Sequence, residues 1–233
     1  MMLDVKDVAK FLSLPEKTIY KWIKRTEIPA IKIGESYRFN RVEILEWATA
    51  KKLPVSPDLL SEGAAAENSP VCLFDALNKG GIHYNISGSD RETVLRSIVE
   101  IITLPAGTRK DLLADALIAR EYLGSTAIGD GIAIPHVRNP VVINIDKPVL
   151  ALCFLSQGID FDALDRKPVD TVFTIFTPNV RTHLSVLSRL SFALHRTDIR
   201  GMIDPGSSRE TILAALASFE SALDQPPRAE HSR

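Results

Sequence analysis

Two apolar runs, Val149-Leu150-Ala151-Leu152-Cys153-Phe154-Leu155 and Val169-Asp170-Thr171-Val172-Phe173-Thr174-Ile175-Phe176-Thr177, constrain the fold of this chain more than any other feature. Both are short, rich in β-branched and aromatic residues, and nearly free of polar alternation. Runs of that kind read as strands buried on both faces, in the centre of a sheet. A sheet buried on both faces needs helices to cover it, and amphipathic segments flank the runs. Ser89-Asp90 caps a helix carrying Val94, Leu95, Ile98, Val99 and Ile102. Arg109 to Glu121 forms another, with Leu112, Leu113, Ala116, Leu117 and Ala119. Thr182-His183-Leu184 opens a helix running to about His195, and Arg209 to Leu223 makes a last one. Ile82-His83-Tyr84-Asn85-Ile86 alternates like an edge strand. The pattern specifies an α/β class.

Within this pattern lies Gly129-Asp130-Gly131-Ile132-Ala133-Ile134-Pro135-His136, reached through the loop Leu123–Gly129. A short apolar strand ends in proline and delivers one histidine, with a fixed backbone behind the imidazole and open space expected in front. That suits a nucleophile, since neutral imidazole is a competent one near neutral pH. No Gly-x-x-x-x-Gly-Lys-[Ser/Thr] motif is present, which argues against direct use of ATP. The most economical reading is a histidine that accepts a phosphoryl group from another protein, with no cofactor. A zinc site from His136 and His183 lacks a third ligand at metal-like spacing, so no metal is expected. Plainer readings stand beside these: His183 as a residue that starts a helix, and Arg120 as a cation at a helix C-terminus. His83, His195 and His231 have no matching context and receive no role.

The chain of 233 residues permits one large domain or two small ones. Its formal net charge of −1 hides an asymmetry. Residues 1–52 hold 11 Lys/Arg against 7 Asp/Glu, a net +4, and the remainder holds 17 against 22, a net −5. A basic head on an acidic body fits a nucleic-acid-binding module joined to something else. No apolar run is long enough to span a bilayer, and the N-terminus lacks a secretory pattern. Cys72 and Cys153 make neither a metal spacing nor a disulfide framework. A cytoplasmic protein with no membrane insertion is expected.

In the head, Asp4 caps a helix with Val5, Val8, Ala9, Phe11 and Leu12 at helical spacing, and Ser13-Leu14-Pro15 breaks it. Glu16 to Lys24 is a second helix, burying Ile19 and Ile23 with Trp22 beside them. Ile31–Phe39 reads as a small hairpin turning at Gly34, and Arg41 to Lys51 as a third helix with Val42, Leu45 and either Ala48 or Trp47 inward. This is a winged helix-turn-helix order. The segments Val5–Leu12, Lys17–Ile23, Ile28–Gly34 and Tyr37-Arg38-Phe39 resemble the excisionase-like (MerR-like) DNA-binding domains. Two positions depart from that pattern: Ser13 stands where the turn usually has Gly, and Pro15 where the second helix usually has a Ser or Thr cap. The resemblance implies that the second helix enters a major groove, with Lys17, Thr18, Tyr20 and Lys21 as candidate contacts beside Glu16. Lys32 and Arg38 on the hairpin would meet phosphates. A merely solvated basic face, or a module that grips protein, are the plainer alternatives.

Residues 53–70, rich in Pro, Ser, Ala and Glu, read as a linker. A flexible coil of that length spans about 20–25 Å, so the two halves are expected to be loosely coupled unless Leu59 and Leu60 dock. Residues 71–223 form the second domain, and the polar stretch 224–233 reads as a disordered tail.

The second domain resembles the type-2 enzyme IIA domain of the bacterial phosphotransferase system, the mannitol/fructose class, with its nitrogen-regulatory branch the nearer likeness. The match rests on Arg120-Glu121-Tyr122-Leu123-Gly124-Ser125-Thr126, on Gly129 through His136, on Gly158–Ala163, on Lys167–Asp170 and on Thr182-His183-Leu184. The resemblance implies a mixed sheet wrapped by helices and a histidine phosphorylated by the histidine-containing phosphocarrier protein. On that basis His136 is the phosphorylated residue, His183 the second active-site histidine and Arg120 the nearby cation. Ser125 and Thr126 would supply hydroxyls and Gly131 a backbone approach to the phosphate. Val137 stands where the family usually has a small residue such as Gly, and a branched side chain there could crowd the donor or shift the phosphate. The leading expectation is a regulator whose phosphorylation state modulates DNA binding. The alternatives are a phosphocarrier feeding a sugar-transporter IIB subunit, and a nitrogen-regulatory protein acting through protein partners.

Overall fold

The chain enters through a two-residue strand, β1 (Met2–Leu3), and a capped helix, α1 (Val5–Phe11). The Asp4 carboxylate accepts the Asp7 amide at 2.8 Å, while Asp7 accepts the Asp4 amide at 2.9 Å, a reciprocal cap at the expected residue. The computed structural model describes residues 2–51, 53, 71–137 and 144–223. Ser13 sits at φ +54°, the left-handed turn conformation that explains why glycine usually occupies this place. Helix α2 (Glu16–Lys24) follows Pro15, which gives no side-chain cap. Strands β2 (Ile31–Ile33) and β3 (Ser36–Asn40) form the hairpin, with Gly34 at φ +59° in its turn. Helix α3 (Arg41–Ala50) is capped by Asn40, whose Oδ1 accepts the Val42 amide at 2.9 Å. β1 pairs antiparallel with β3, a pairing too short to leave a sequence pattern.

The body holds a five-stranded sheet in the order β4-β7-β8-β6-β5. Its strands are β4 (Ile82–Ile86), β5 (Ala127–Gly129), β6 (Ile132–Ala133), β7 (Val149–Ile159) and β8 (Val169–Phe176). β7 and β8 pair antiparallel in the middle, β4 and β6 add in parallel on either side, and β5 closes the far edge antiparallel to β6. The two apolar runs are therefore the central strands, and the sheet is mixed. The segment expected as a loop up to Gly129 instead contributes β5, because Asp130 and Gly131, both at positive φ, turn it back onto β6. The covering helices are α4 (Leu73–Gly80), α5 (Arg91–Ile101), α6 (Lys110–Tyr122), α7 (Val180–His195), the short α8 (Thr197–Arg200) and α9 (Arg209–Leu223). In α6, Leu113 and Leu117 face the core, whereas Leu112 and Ala119 are exposed. Among the described residues no helix is long and apolar enough to cross a membrane.

Head and body are packed together rather than loosely tethered. Helix α3 lies against α7 and β5. The buried apolar residues of the head, Phe39, Ile44, Leu45 and Ala48 among them, run into those of the body, including Ile128, Ile134 and Leu187, as one continuous cluster. Leu53 packs against this joined core. Leu59, Leu60, the rest of the expected linker and the tail at 224–233 lie outside the described residues.

Candidate functional site

His136 follows β6 after Pro135 and is held to the sheet by a bridge to Ile175 of β8. Its Nδ1 lies 2.7 Å from the Ile134 carbonyl oxygen. A carbonyl only accepts, so Nδ1 carries the hydrogen and the reactive nitrogen of this ring is Nε2. The space in front of Nε2 is not open, contrary to expectation. Glu46, from α3 of the head, places Oε1 2.9 Å from Nε2. The other carboxylate oxygen, Oε2, accepts from Arg120 Nη2 at 2.9 Å. His136 is 3 % exposed, and the head is what covers it.

Arg120 sits in the last turn of α6 and is buried. Its Nη1 donates to the Gly124 carbonyl at 2.7 Å, which fixes the guanidinium plane and leaves Nη2 to hold the Glu46 carboxylate in front of His136. His183, in the first turns of α7, lies beside His136 with ring centroids 4.9 Å apart and the ring planes inclined at 42°. It is 1 % exposed, and neither ring nitrogen has a hydrogen-bond partner among the described residues. Burial, with the neighbouring His136 ring and Arg120 charge, pushes this imidazole down to about 3 against the pull of Glu46, so His183 is neutral near neutral pH.

The three candidate catalytic residues thus converge, and a cavity of about 250 Å³ opens beside them. Ser125 and Thr126 line the same cavity, but both hydroxyls are engaged. Ser125 Oγ donates to the Phe161 carbonyl and accepts from the Ala127 amide. Thr126 donates its hydroxyl (2.5 Å) and its amide (2.9 Å) to the buried Glu121 carboxylate. Gly131 lies in the turn at the opposite end of β6 from His136, against Asp170 and away from the cavity, so the structure does not bring it to the site. Val137 packs against the second apolar cluster and does not line the cavity.

Glu46 is the functional candidate that sequence reasoning missed. Nothing in its local pattern separates it from a solvated glutamate on a surface helix, because its partners lie 74 and 90 residues away. It also supplies the third metal-type donor that spacing did not reveal: ligand atoms of Glu46, His136 and His183 all lie within 4.8 Å of one another.

On the head, Lys17, Tyr20 and Lys21 of α2 and Lys32 of β2 are exposed, with Thr18 half-buried on the same helix. Arg38 is half-buried and its Nη1 donates to the Tyr37 carbonyl at 3.2 Å. The docking of α3 leaves this basic surface uncovered.

Comparison with known proteins identifies both parts of the chain. A family described as "Phosphoenolpyruvate-dependent sugar phosphotransferase system, EIIA 2" matches residues 75–219, and one described as "Helix-turn-helix domain" matches residues 2–52. A nitrogen regulatory protein of Pseudomonas aeruginosa is 34% identical over 152 residues, which is 64% of this chain and 96% of that protein. The fructose-specific EIIABC component of Bacillus subtilis is 36% identical over 145 residues, 60% of this chain but 22% of that much longer protein. The crystal structure of nitrogen regulatory protein IIA-Ntr from Neisseria meningitidis superimposes with a TM-score of 0.54 at 28% identity, covering 62% of this chain and 98% of that one. The chain belongs to the phosphotransferase system EIIA type-2 family, with nitrogen regulatory proteins among its relatives, and carries an N-terminal helix-turn-helix domain.

Proposed function

We propose that this protein accepts a phosphoryl group on His136 Nε2 from a histidine-containing phosphocarrier protein, and that the phosphorylation state of His136 modulates DNA binding by the head. The observation that carries the first half is the front of the His136 ring. Nε2 and the Arg120 guanidinium, which the Gly124 carbonyl holds in place, grip the two oxygens of one carboxylate, so the pair can hold an oxyanion at the front of the ring, with a neutral histidine alongside. In transfer, the phosphorus–nitrogen bond of the carrier's phosphohistidine breaks as the bond to Nε2 forms. Nε2 gives up any proton it holds before it attacks, and the carrier's imidazole, released as the leaving group, takes up a proton. Charge spreads over the phosphoryl oxygens, so positioning and electrostatic stabilisation are the chief demands on the site.

The second half is supported by the contact of α3 with this site and by the uncovered basic residues of α2 and β2. A charge placed on Nε2 is felt first by the head. The test is a DNA-binding measurement on the full chain with and without phosphorylation, and on His136→Ala. Phosphorylated and unphosphorylated wild type should differ in affinity, and His136→Ala should not respond to the phosphorylating mixture. Lys21→Ala should weaken binding and reduce its salt dependence by about one ion. Equal affinity in all states would sever the regulatory link.

A second reading is favoured by the nitrogen regulatory relatives: the output is a protein partner and not a promoter. Capture of one defined partner by unphosphorylated protein, with no DNA affinity in any state, would select it.

A further inference from the structure

We infer that Glu46 is a built-in stand-in for the phosphoryl group: its carboxylate closes the site while His136 is unmodified, and phosphorylation expels it and frees the head from the body. The inference rests on the phosphoryl-acceptor reading above and adds to it a direction and a residue.

The Glu46 carboxylate makes the two contacts a phosphoryl oxyanion would need, one to Arg120 Nη2 and one at His136 Nε2, each 2.9 Å. The His136 ring lies between two acceptors, the Ile134 carbonyl at Nδ1, to which that nitrogen donates, and Glu46 Oε1 at Nε2. A 2.9 Å approach of a carboxylate to Nε2 therefore requires a proton between them. That proton masks the lone pair that must attack phosphorus. The docked carboxylate thus blocks the site three times over, by filling the space, by occupying the cation and by holding a proton on the nucleophile.

Docked head and phosphorylated His136 cannot coexist. A phosphorus atom bonded to Nε2 must enter the gap that Glu46 Oε1 now closes. Its oxygens carry nearly two negative charges and would face a carboxylate across one guanidinium. Glu46 comes from α3, which joins head to body, so its departure removes the ionic anchor of that junction and leaves the apolar contact and the Thr49–Ser191 hydrogen bond. The same donor set could hold a divalent cation with His183. However, Glu46 Oε2 is already bonded to the Arg120 guanidinium, and a fixed cation there favours an anion as the natural occupant.

The test follows phosphorylation of the full chain by enzyme I, phosphocarrier and phosphoenolpyruvate, with small-angle X-ray scattering of each species. Glu46→Ala and Glu46→Gln should take up phosphate about 10-fold faster than wild type, a difference of about 1.4 kcal/mol in the fraction open to the donor. Both variants should be expanded before phosphorylation, and wild type should expand on phosphorylation. If variants and wild type are phosphorylated at one rate and scatter alike, the stand-in role is overturned while the acceptor role survives. If no version gains phosphate at position 136, the acceptor reading falls and takes this inference with it. Stoichiometric Zn²⁺ binding by wild type that is lost in both variants would overturn the inference in favour of a metal centre.

Discussion

Thr49 Oγ1 and Ser191 Oγ lie 3.0 Å apart across the junction of α3 and α7. Thr49 spends its single hydroxyl hydrogen on the Leu45 carbonyl at 2.8 Å, so Ser191 is the donor of the pair. Both are buried, and the pair is a polar pin within an apolar contact. Thr49→Leu should act as a wedge: the added branch enters a filled space, at a cost of about 1–3 kcal/mol. Thr49 lines the edge of the cavity beside His136 but bonds to none of the three catalytic candidates, and the variant should raise the initial rate of phosphoryl uptake by loosening α3. The measurement is the uptake time course beside a thermal melt. A destabilised chain with an unchanged rate would show that head docking does not limit access to His136.

Arg120 is expected to behave oppositely to Glu46. Arg120→Ala removes the anchor of Glu46 and so loosens the head, but it also removes the cation that would bind the transferring phosphoryl group. The second effect should dominate, lowering the uptake rate by about 10²–10³, the range found when one preorganised oxyanion donor is lost. Arg120→Lys should recover little of it, since an ammonium cannot hold the Gly124 carbonyl and an oxyanion in one plane. Phosphohistidine formation in the two variants, compared with wild type, decides this.

The head was legible almost residue by residue. Helix α2 begins and ends where the pattern placed it, and Ser13, the departure from glycine, proved to be the left-handed residue of the turn. The central strands were equally plain, because burial on both faces leaves an uninterrupted apolar run. β5 was hidden because its three residues sit between glycines that suggest only a loop. The meeting of His136, His183 and Arg120 came from motif likeness, and the fold brings them together. What could not be read was the junction. Glu46 and Thr49 sit on α3 among residues that also suit a solvated helix, and their partners lie far along the chain. Periodicity specifies which face of a helix is apolar and leaves open which distant element covers it.

Glu220, near the end of the chain, caps a helix near the start of the body. Its carboxylate accepts the Leu73 amide at 2.5 Å and the Phe74 amide at 3.0 Å, at the N-terminus of α4, with Cys72 Sγ donating to it at 3.0 Å. Partial burial, together with this bond to the carboxylate, pushes the Cys72 thiol up to about 11. Removing the carboxylate leaves buried amide hydrogens without acceptors. Glu220→Ala should cost about 2 kcal/mol of stability, and Glu220→Gln less. Urea denaturation midpoints measure both, and a loss below about 0.5 kcal/mol would mean that water replaces the cap.

The neutral, buried His183 predicts how stability depends on pH. In the unfolded chain an imidazole titrates near 6.5, whereas in the folded chain burial, followed by the His136 ring and the Arg120 charge, holds this one down to about 3 despite Glu46. Between those two values the unfolded state binds a proton that the native state refuses. Stability from this residue is therefore complete above about pH 6.5 and falls as pH drops, by up to about 1.4 kcal/mol per unit. Other groups titrate over the same range, so the comparison must be made against a variant. His183→Gln keeps a polar side chain of similar reach and cannot titrate. Its stability should fall less steeply than that of wild type between about pH 6 and pH 5, where the carboxylates contribute least to the difference. Parallel slopes in urea denaturation across that interval would mean that His183 takes up its proton without unfolding, and that Glu46 moves to receive it.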